Sequence, residues 1–193
     1  YLDKVDPTAK KIKAVNTVVN INGKLTGYNT DMTAAIKAIE KKTEIKNKNV
    51  TIIGAGGAAR AIAIGILEKH GKLTILNRTA EKAKQLSNEL NCNYKQLKDL
   101  KNIKTDILIN TTSVGMHPKI NETPIDTKNV KNMVVFDAIY NPKKTKLLKE
   151  AEKNNCAIIS GIEMFINQAA QQFKIWTGKQ PNISFMRGII RWT

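Results

Sequence analysis

Several things are scarce in this sequence, and each shortage excludes something. The two cysteines, Cys92 and Cys156, lie far apart with no second cysteine or histidine at ligand spacing, so neither a disulfide framework nor a bound metal is expected. The two histidines, His70 and His117, are equally isolated. Arginine occurs only at Arg60, Arg78, Arg187 and Arg191, and aromatics make up 5% of the chain. The net charge of +16 is therefore mostly lysine scattered along the chain, with no arginine-rich block and no interleaved aromatics to stack bases, and no nucleic-acid partner is expected. No apolar run approaches the ~20 residues that cross a bilayer, and no signal-peptide pattern opens the chain. A protein of the reducing cytoplasm with no membrane partner is expected, as a monomer or homodimer. The first residue is Tyr1 and not Met, which reads as a cut rather than a translation start.

What is present is a long alternation of two patterns. "NTVVNINGKLTGYNT" (16–30) reads as a hairpin around Asn22-Gly23, a strong short turn signal. "DMTAAIKAIEKK" (31–42) reads as a helix with Thr30 or Asp31 at its start. Buried strands follow at 50–53, 73–76, 106–110, 133–139 and 157–160, with helices at 57–69, 80–90 and 144–154. That order predicts an α/β fold with βαβ units: a Rossmann-like parallel sheet with helices on both faces. In 162–176, Ile162, Ile166, Ala169, Phe173 and Trp176 recur at helical spacing and predict a core-facing stripe.

The segment "VTIIGAGGAARAIAI" (50–64) places Gly54, Gly56 and Ala59 on G-x-G-x-x-[GA] between a strand and a helix. Gly54 permits the tight turn, Gly56 lets the backbone approach a pyrophosphate, and Ala59 keeps helix and sheet close. The helix start adds free N–H groups and a positive dipole. Gly54, Ala55, Gly56, Gly57 and Ala58 are accordingly the expected phosphate cradle. After the second strand, where an NAD site usually carries an acid to hold the ribose, the chain reads Asn77, Arg78, Thr79, with Lys82 a turn later. An acid would repel a ribose 2′-phosphate, whereas Arg78 can pair with it in fork geometry and Lys82 adds a second cation. NADP is the cofactor expected.

"AVNTV", "GYNTD", "GAGGAARA", "NRTAEKA", "NTTSVGM", "DAIYNP" and "GIEMFINQAAQQFKIWTG" occur in the order found in shikimate dehydrogenases, and the chain from about Ala14 to Gly178 resembles that family. The resemblance implies NADPH-dependent reduction of 3-dehydroshikimate to shikimate, on the route to aromatic amino acids. It also implies a domain plan: 1–30 as the tail of a substrate-binding domain, 31–160 as the NADP domain, and 161–193 as helices returning to the first. Asn16, Asp31, Tyr140 and Gln168 match substrate-touching positions, with Asp31 the catalytic carboxylate. Thr112, Ser113, Ala138, Gly161 and Met164 match the nicotinamide end of the cofactor site. Taken without the resemblance, Asn16 and Asp31 also suit a turn and a helix start, Tyr140 a strand end, and Met164 a core.

One part of the family pattern is missing. Its catalytic lysine lies in an N-V-T-x-P-x-K segment expected shortly before Tyr1, with the serines that bind the substrate carboxylate earlier still, and none of these is in the 193 residues. The chain alone is therefore expected to bind NADP(H) weakly and to turn over slowly or not at all. Two alternatives are a quinate/shikimate-type dehydrogenase and a non-catalytic NADP-binding paralogue.

Overall fold

Two kinds of strand sequence build two sheets. The structure is a computed structural model that describes residues 1–102 and 104–190. In the smaller sheet, β1 (Lys4–Val5) runs parallel to β3 (Lys24–Tyr28), which pairs antiparallel with β2 (Thr17–Ile21). Asn22 and Gly23 link β2 to β3 with φ of 51° and 83°. Positive φ at both positions is what a two-residue primed turn demands. Between β1 and β2, α1 (Pro7–Ile12) is capped by Asp6, whose side chain accepts from the Thr8 N–H at 2.9 Å. It buries Ile12 against Ala61 and Ile64.

The larger sheet follows α2 (Asp31–Glu40). Its strands are β4 (Asn49–Ile53), β5 (Lys72–Asn77), β6 (Asn93–Gln96), β7 (Ile107–Asn110), β8 (Val134–Asp137) and β9 (Ala157–Ser160). The intervening helices are α3 (Gly57–Glu68), α4 (Ala80–Leu90) and α5 (Lys146–Lys153); α6 (Gly161–Thr177) and α7 (Ile183–Ile189) close the chain. All neighbouring strands are parallel, in the order β6-β5-β4-β7-β8-β9. This is the doubly wound dinucleotide-binding order, and its chain reversal falls between β4 and β7, where ligands of such sheets bind.

Strand parity fixes the two faces. Ile52, Ile107, Ile109, Phe136 and Ile159 pack with Ala34–Ile39 of α2, with Ala59 and Ile62 of α3 and with Met164 of α6. Ile53, Leu108 and Val135 point the other way, onto Leu147, Leu148 and Ala151 of α5. Cys156 is buried and Cys92 half-buried. No helix among the described residues is long and apolar enough to cross a membrane.

The expected strands and helices form, with ends that move by two residues at most. The stripe along α6 is a correction. Ile166 is 1% exposed, but Phe173 is 40% and Trp176 57% exposed, so the core-facing run covers only the first half of the helix. The sheet ends before the last turns, which cross instead to the hairpin, where the Trp176 indole N–H donates to the Val18 carbonyl at 3.1 Å. The expectation for 161–193 extends to Arg191, Trp192 and Thr193, which lie outside the described residues.

Candidate functional site

The glycine segment turns sharply off β4. Gly54 has φ +117°, and a Cβ there would stand 2.3 Å from the Thr111 hydroxyl oxygen. Glycine is thus required twice over, by conformation and by space. Thr111 is fixed in turn, its hydroxyl donating to the Ile53 carbonyl at 2.8 Å. At Gly56 and Gly57 the opposite holds: beyond the adjoining residues and the helix's own backbone, no described atom lies within 4 Å of either Cβ position. Gly56 is the N-cap of α3 and no side chain caps it, so the first-turn N–H groups face open space, the arrangement that receives phosphate.

A cleft of about 440 Å³ opens there. The expected residues Gly54, Ala55, Gly56, Asn77, Arg78, Thr79, Lys82, Thr112 and Ser113 line it. The Asn77 amide donates to the Thr79 carbonyl at 3.0 Å, which shapes the turn carrying Arg78. Among the described residues, neither Arg78 nor Lys82 forms an ion pair. Arg60, one turn into α3, is by contrast held by Glu89 at 2.8 Å. The cleft therefore presents free positive charge, with no acid at the second strand. Sequence reading missed Ile53, at the end of β4, and Leu97, Thr111, Val114, Thr123 and Pro124 in the lining; the last five come from segments outside the regular strands and α-helices, with no periodic signal.

A second cluster forms at the start of α2. Asp31 Oδ1 accepts from the Asn16 amide at 2.8 Å and from the Gln168 amide of α6. The Asp31 N–H donates to Asn29 Oδ1 at 2.9 Å, and Asn29 is 4% exposed. Asn16 is engaged on both sides: Nδ2 donates to the Thr30 hydroxyl at 3.1 Å, and Oδ1 accepts from the Thr30 N–H at 3.1 Å. Three residues matched far apart in sequence thus meet at one carboxylate. Asn167 anchors the crossing by donating to the Ala34 carbonyl at 3.0 Å. Tyr140 stacks on Phe165 with ring centroids 5.0 Å apart. Phe165 lies three residues before Gln168, on the same side of α6.

The remaining expected positions, Ala138, Gly161 and Met164, sit where β8 ends and α6 begins. A Cβ on Gly161 would come within 2.4 Å of the Ala138 and Ile139 carbonyl oxygens, so Gly161 permits that close approach. Met164 is 6% exposed and packs in the main core; it, Ala138 and Gly161, like Gly57 and Ala58 of the expected phosphate cradle, are not in the cleft lining. The strands between the two clusters end in buried polar residues that sequence reading passed over, Asn110 on β7 and Asp137 on β8, paired in register. The signal was there, in two apolar strands, "ILIN" and "VVFD", each ending on a polar residue. Among the described residues no cluster of ligating side chains suits a metal.

The shikimate/quinate 5-dehydrogenase family matches residues 36–161, and the shikimate 5′-dehydrogenase C-terminal domain matches 161–191. The chain is 48% identical over 200 residues to the shikimate dehydrogenase (NADP(+)) of Methanococcus aeolicus, covering 98% of this chain and 72% of that one. It superimposes with a TM-score of 0.91 on a crystal structure of shikimate dehydrogenase in complex with NADP+, at 44% identity over 97% of this chain and 69% of that one. For the Thermus thermophilus shikimate 5-dehydrogenase in complex with NADP(H) and shikimate, the TM-score is 0.89 at 31% identity, over 97% of this chain and 71% of the other.

Proposed function

The chain belongs to the shikimate/quinate 5-dehydrogenase family, and on that premise we propose NADPH-dependent reduction of 3-dehydroshikimate to shikimate, a reversible step of aromatic amino acid biosynthesis, as its reaction. The observation that carries the cofactor half is the glycine cradle beside two cations without acidic partners. Gly54, Ala55, Gly56, Gly57 and Ala58 take the pyrophosphate, while Asn77, Arg78, Thr79 and Lys82 take the adenosine ribose and its 2′-phosphate. Thr112, Ser113, Ala138, Gly161 and Met164 border the nicotinamide. NADPH bound there supplies the hydride.

The substrate half rests on the meeting of Asn16 and Gln168 at Asp31. Two amides and a carboxylate supply the donors and acceptors that a polyhydroxylated ring requires, and Tyr140 forms the facing wall. On this reading Asp31 Oδ1 and Oδ2 accept from a substrate hydroxyl and orient it beside the acid–base group that hydride transfer requires. The lysine that the resemblance pairs with Asp31 is not among the 193 residues. We accordingly expect the chain alone to turn over slowly or not at all.

The domain plan of 1–30, 31–160 and 161–193 belongs to the same reading. So does a cytoplasmic monomer or homodimer without nucleic acid, a reading supported by lysines scattered along the chain with no arginine-rich block. The test is the melting temperature of the chain at saturating NADP+ as shikimate is added. A concentration-dependent rise that disappears in Asp31→Asn is expected. A response to shikimate that survives unchanged in Asp31→Asn contradicts the substrate assignment, and robust shikimate oxidation by the chain contradicts the requirement for the lysine.

A further inference from the structure

Asp137 is a carboxylate with no exposed surface, at the C-terminal end of a central strand. Its Oδ1 accepts from the Asn110 amide at 3.1 Å and from the Ile139 N–H at 3.1 Å, and its Oδ2 accepts from the Thr145 hydroxyl at 2.6 Å. None of the three donors is charged, although burying an unpaired carboxylate is costly. Burial pushes its pKa up to about 6 against the opposing pull of Thr145, Ile139 and Asn110.

Each donor leads to a different wall. Asn110 Oδ1 accepts from both the N–H and the hydroxyl of Thr112, at 3.0 and 2.8 Å, so the amide that touches Asp137 also fixes the cofactor-cleft loop. Ile139 sits between Ala138 and Tyr140, and its carbonyl packs against Gly161. Thr145 is the N-cap of α5 and accepts from the Leu148 N–H at 3.4 Å. A neutral asparagine could satisfy the same three donors, because the Thr145 hydroxyl can turn from donor to acceptor. The charge is thus a burden on folding that the local geometry does not require, the pattern seen where function and stability compete.

We propose that Asp137 is a positioning residue for the nicotinamide end of the cofactor site, holding Thr112 on one side and Ala138 to Tyr140 on the other in a single register. The inference rests on the NADP reading above. It separates the nicotinamide half of the site, which depends on Asp137, from the adenosine half at Arg78 and Lys82, which does not.

Two probes test it on the 193-residue chain: NADP+, and adenosine 2′,5′-bisphosphate, which carries the 2′-phosphate but no nicotinamide. In Asp137→Ala and Thr145→Val, which each remove the contact between the two residues, NADP+ should bind about tenfold more weakly, equivalent to ~1.4 kcal/mol, while adenosine 2′,5′-bisphosphate binds as it does to the parent chain. Thr145→Ser, which restores the hydroxyl, should recover NADP+ binding. Parallel loss of both probes, full retention of both, or equal affinity of the parent chain for the two probes would overturn the assignment while leaving the NADP reading intact. If the parent chain takes neither probe, the NADP reading falls and this inference falls with it.

Discussion

The two polar clusters of this molecule treat their hydrogen-bonding groups in opposite ways. In the cleft at β4 and β7, Arg78, Lys82 and the first turn of α3 have no side-chain partners within the described protein. At the start of α2, Asn16, Asn29 and Gln168 are all turned onto Asp31 and its neighbours. The first arrangement is preformed for an anion, since donors and charge stand ready and nothing must be displaced. The second is closed on itself, so a ligand there must exchange partners with groups already paired. On the proposed reading, cofactor recognition draws on backbone and side-chain groups that stand free before the ligand arrives, and substrate recognition on side chains that change partners.

The sharpest way to break the first half of that contrast is at Gly54. Gly54→Val places a β-branched side chain at φ +117° and against Thr111. Chemical denaturation should show a loss of about 3 kcal/mol or more, with NADP+ binding lost as well. Unchanged stability would mean that the turn is not the constrained element described.

Asp137→Asn probes the strand ends between the clusters, and its sign is unusual. The folded-state pKa of Asp137 is about 6, above the ordinary carboxylate value of 3.8. The folded protein therefore keeps a proton that the unfolded chain gives up, and this group's contribution is present at low pH and lost as pH rises through about 6. Of the charged groups on and beside the packed helices, Lys146 pairs with Glu150, Lys144 with Glu152, and Glu163 with Arg187 and Lys41, and the groups bonded to Asp137 are all uncharged. Asp137→Asn should consequently be more stable than the parent at pH 8, by up to ~3 kcal/mol, with the gap closing towards pH 4 in thermal melts. The acid end of the profile belongs to other groups: Arg60 and Lys13 hold exposed Glu89 down to about 2, so its contribution is lost as pH falls towards that value.

Arg78→Gln sharpens the comparison at the ligand. A charge-assisted fork on a phosphate contributes about 1.5–3 kcal/mol, so NADP+ should weaken by roughly 10- to 100-fold while NAD+ is unaffected. Equal weakening of both dinucleotides would place Arg78 on something other than the 2′-phosphate. The smallest effect is expected in the closed cluster. Gln168→Leu removes one amide from Asp31, for a loss of about 1 kcal/mol in denaturation, and leaves NADP+ binding unchanged. A clear change in NADP+ affinity would show that the clusters are not independent.

Much of this could be read before the structure. The glycine turn, the second strand and the Asn22-Gly23 hairpin are local devices, in which a few adjacent residues fix the backbone, and they form as expected. β6 was not legible: its four residues, Asn93 to Gln96, are all exposed and carry no alternation, and the strand exists because its backbone pairs with β5. Phe173 and Trp176 continue a helical apolar period past the point where the sheet ends, so the period alone misplaced them in the core. The Asn110–Asp137 pair depends on register between β7 and β8, which no single segment encodes. The resemblance brought Asn16, Asp31 and Gln168 together as one site, yet their mutual hydrogen bonding is a fact of tertiary structure.

The most direct test of the preformed cofactor cleft is a calorimetric titration of the 193-residue chain with NADP+ and with NAD+ at the same ionic strength. Two unpaired cations and no acid at the second strand predict saturable binding of NADP+ with at least a roughly tenfold preference over NAD+. Equal affinity for the two, or a preference for NAD+, would contradict the account at its centre.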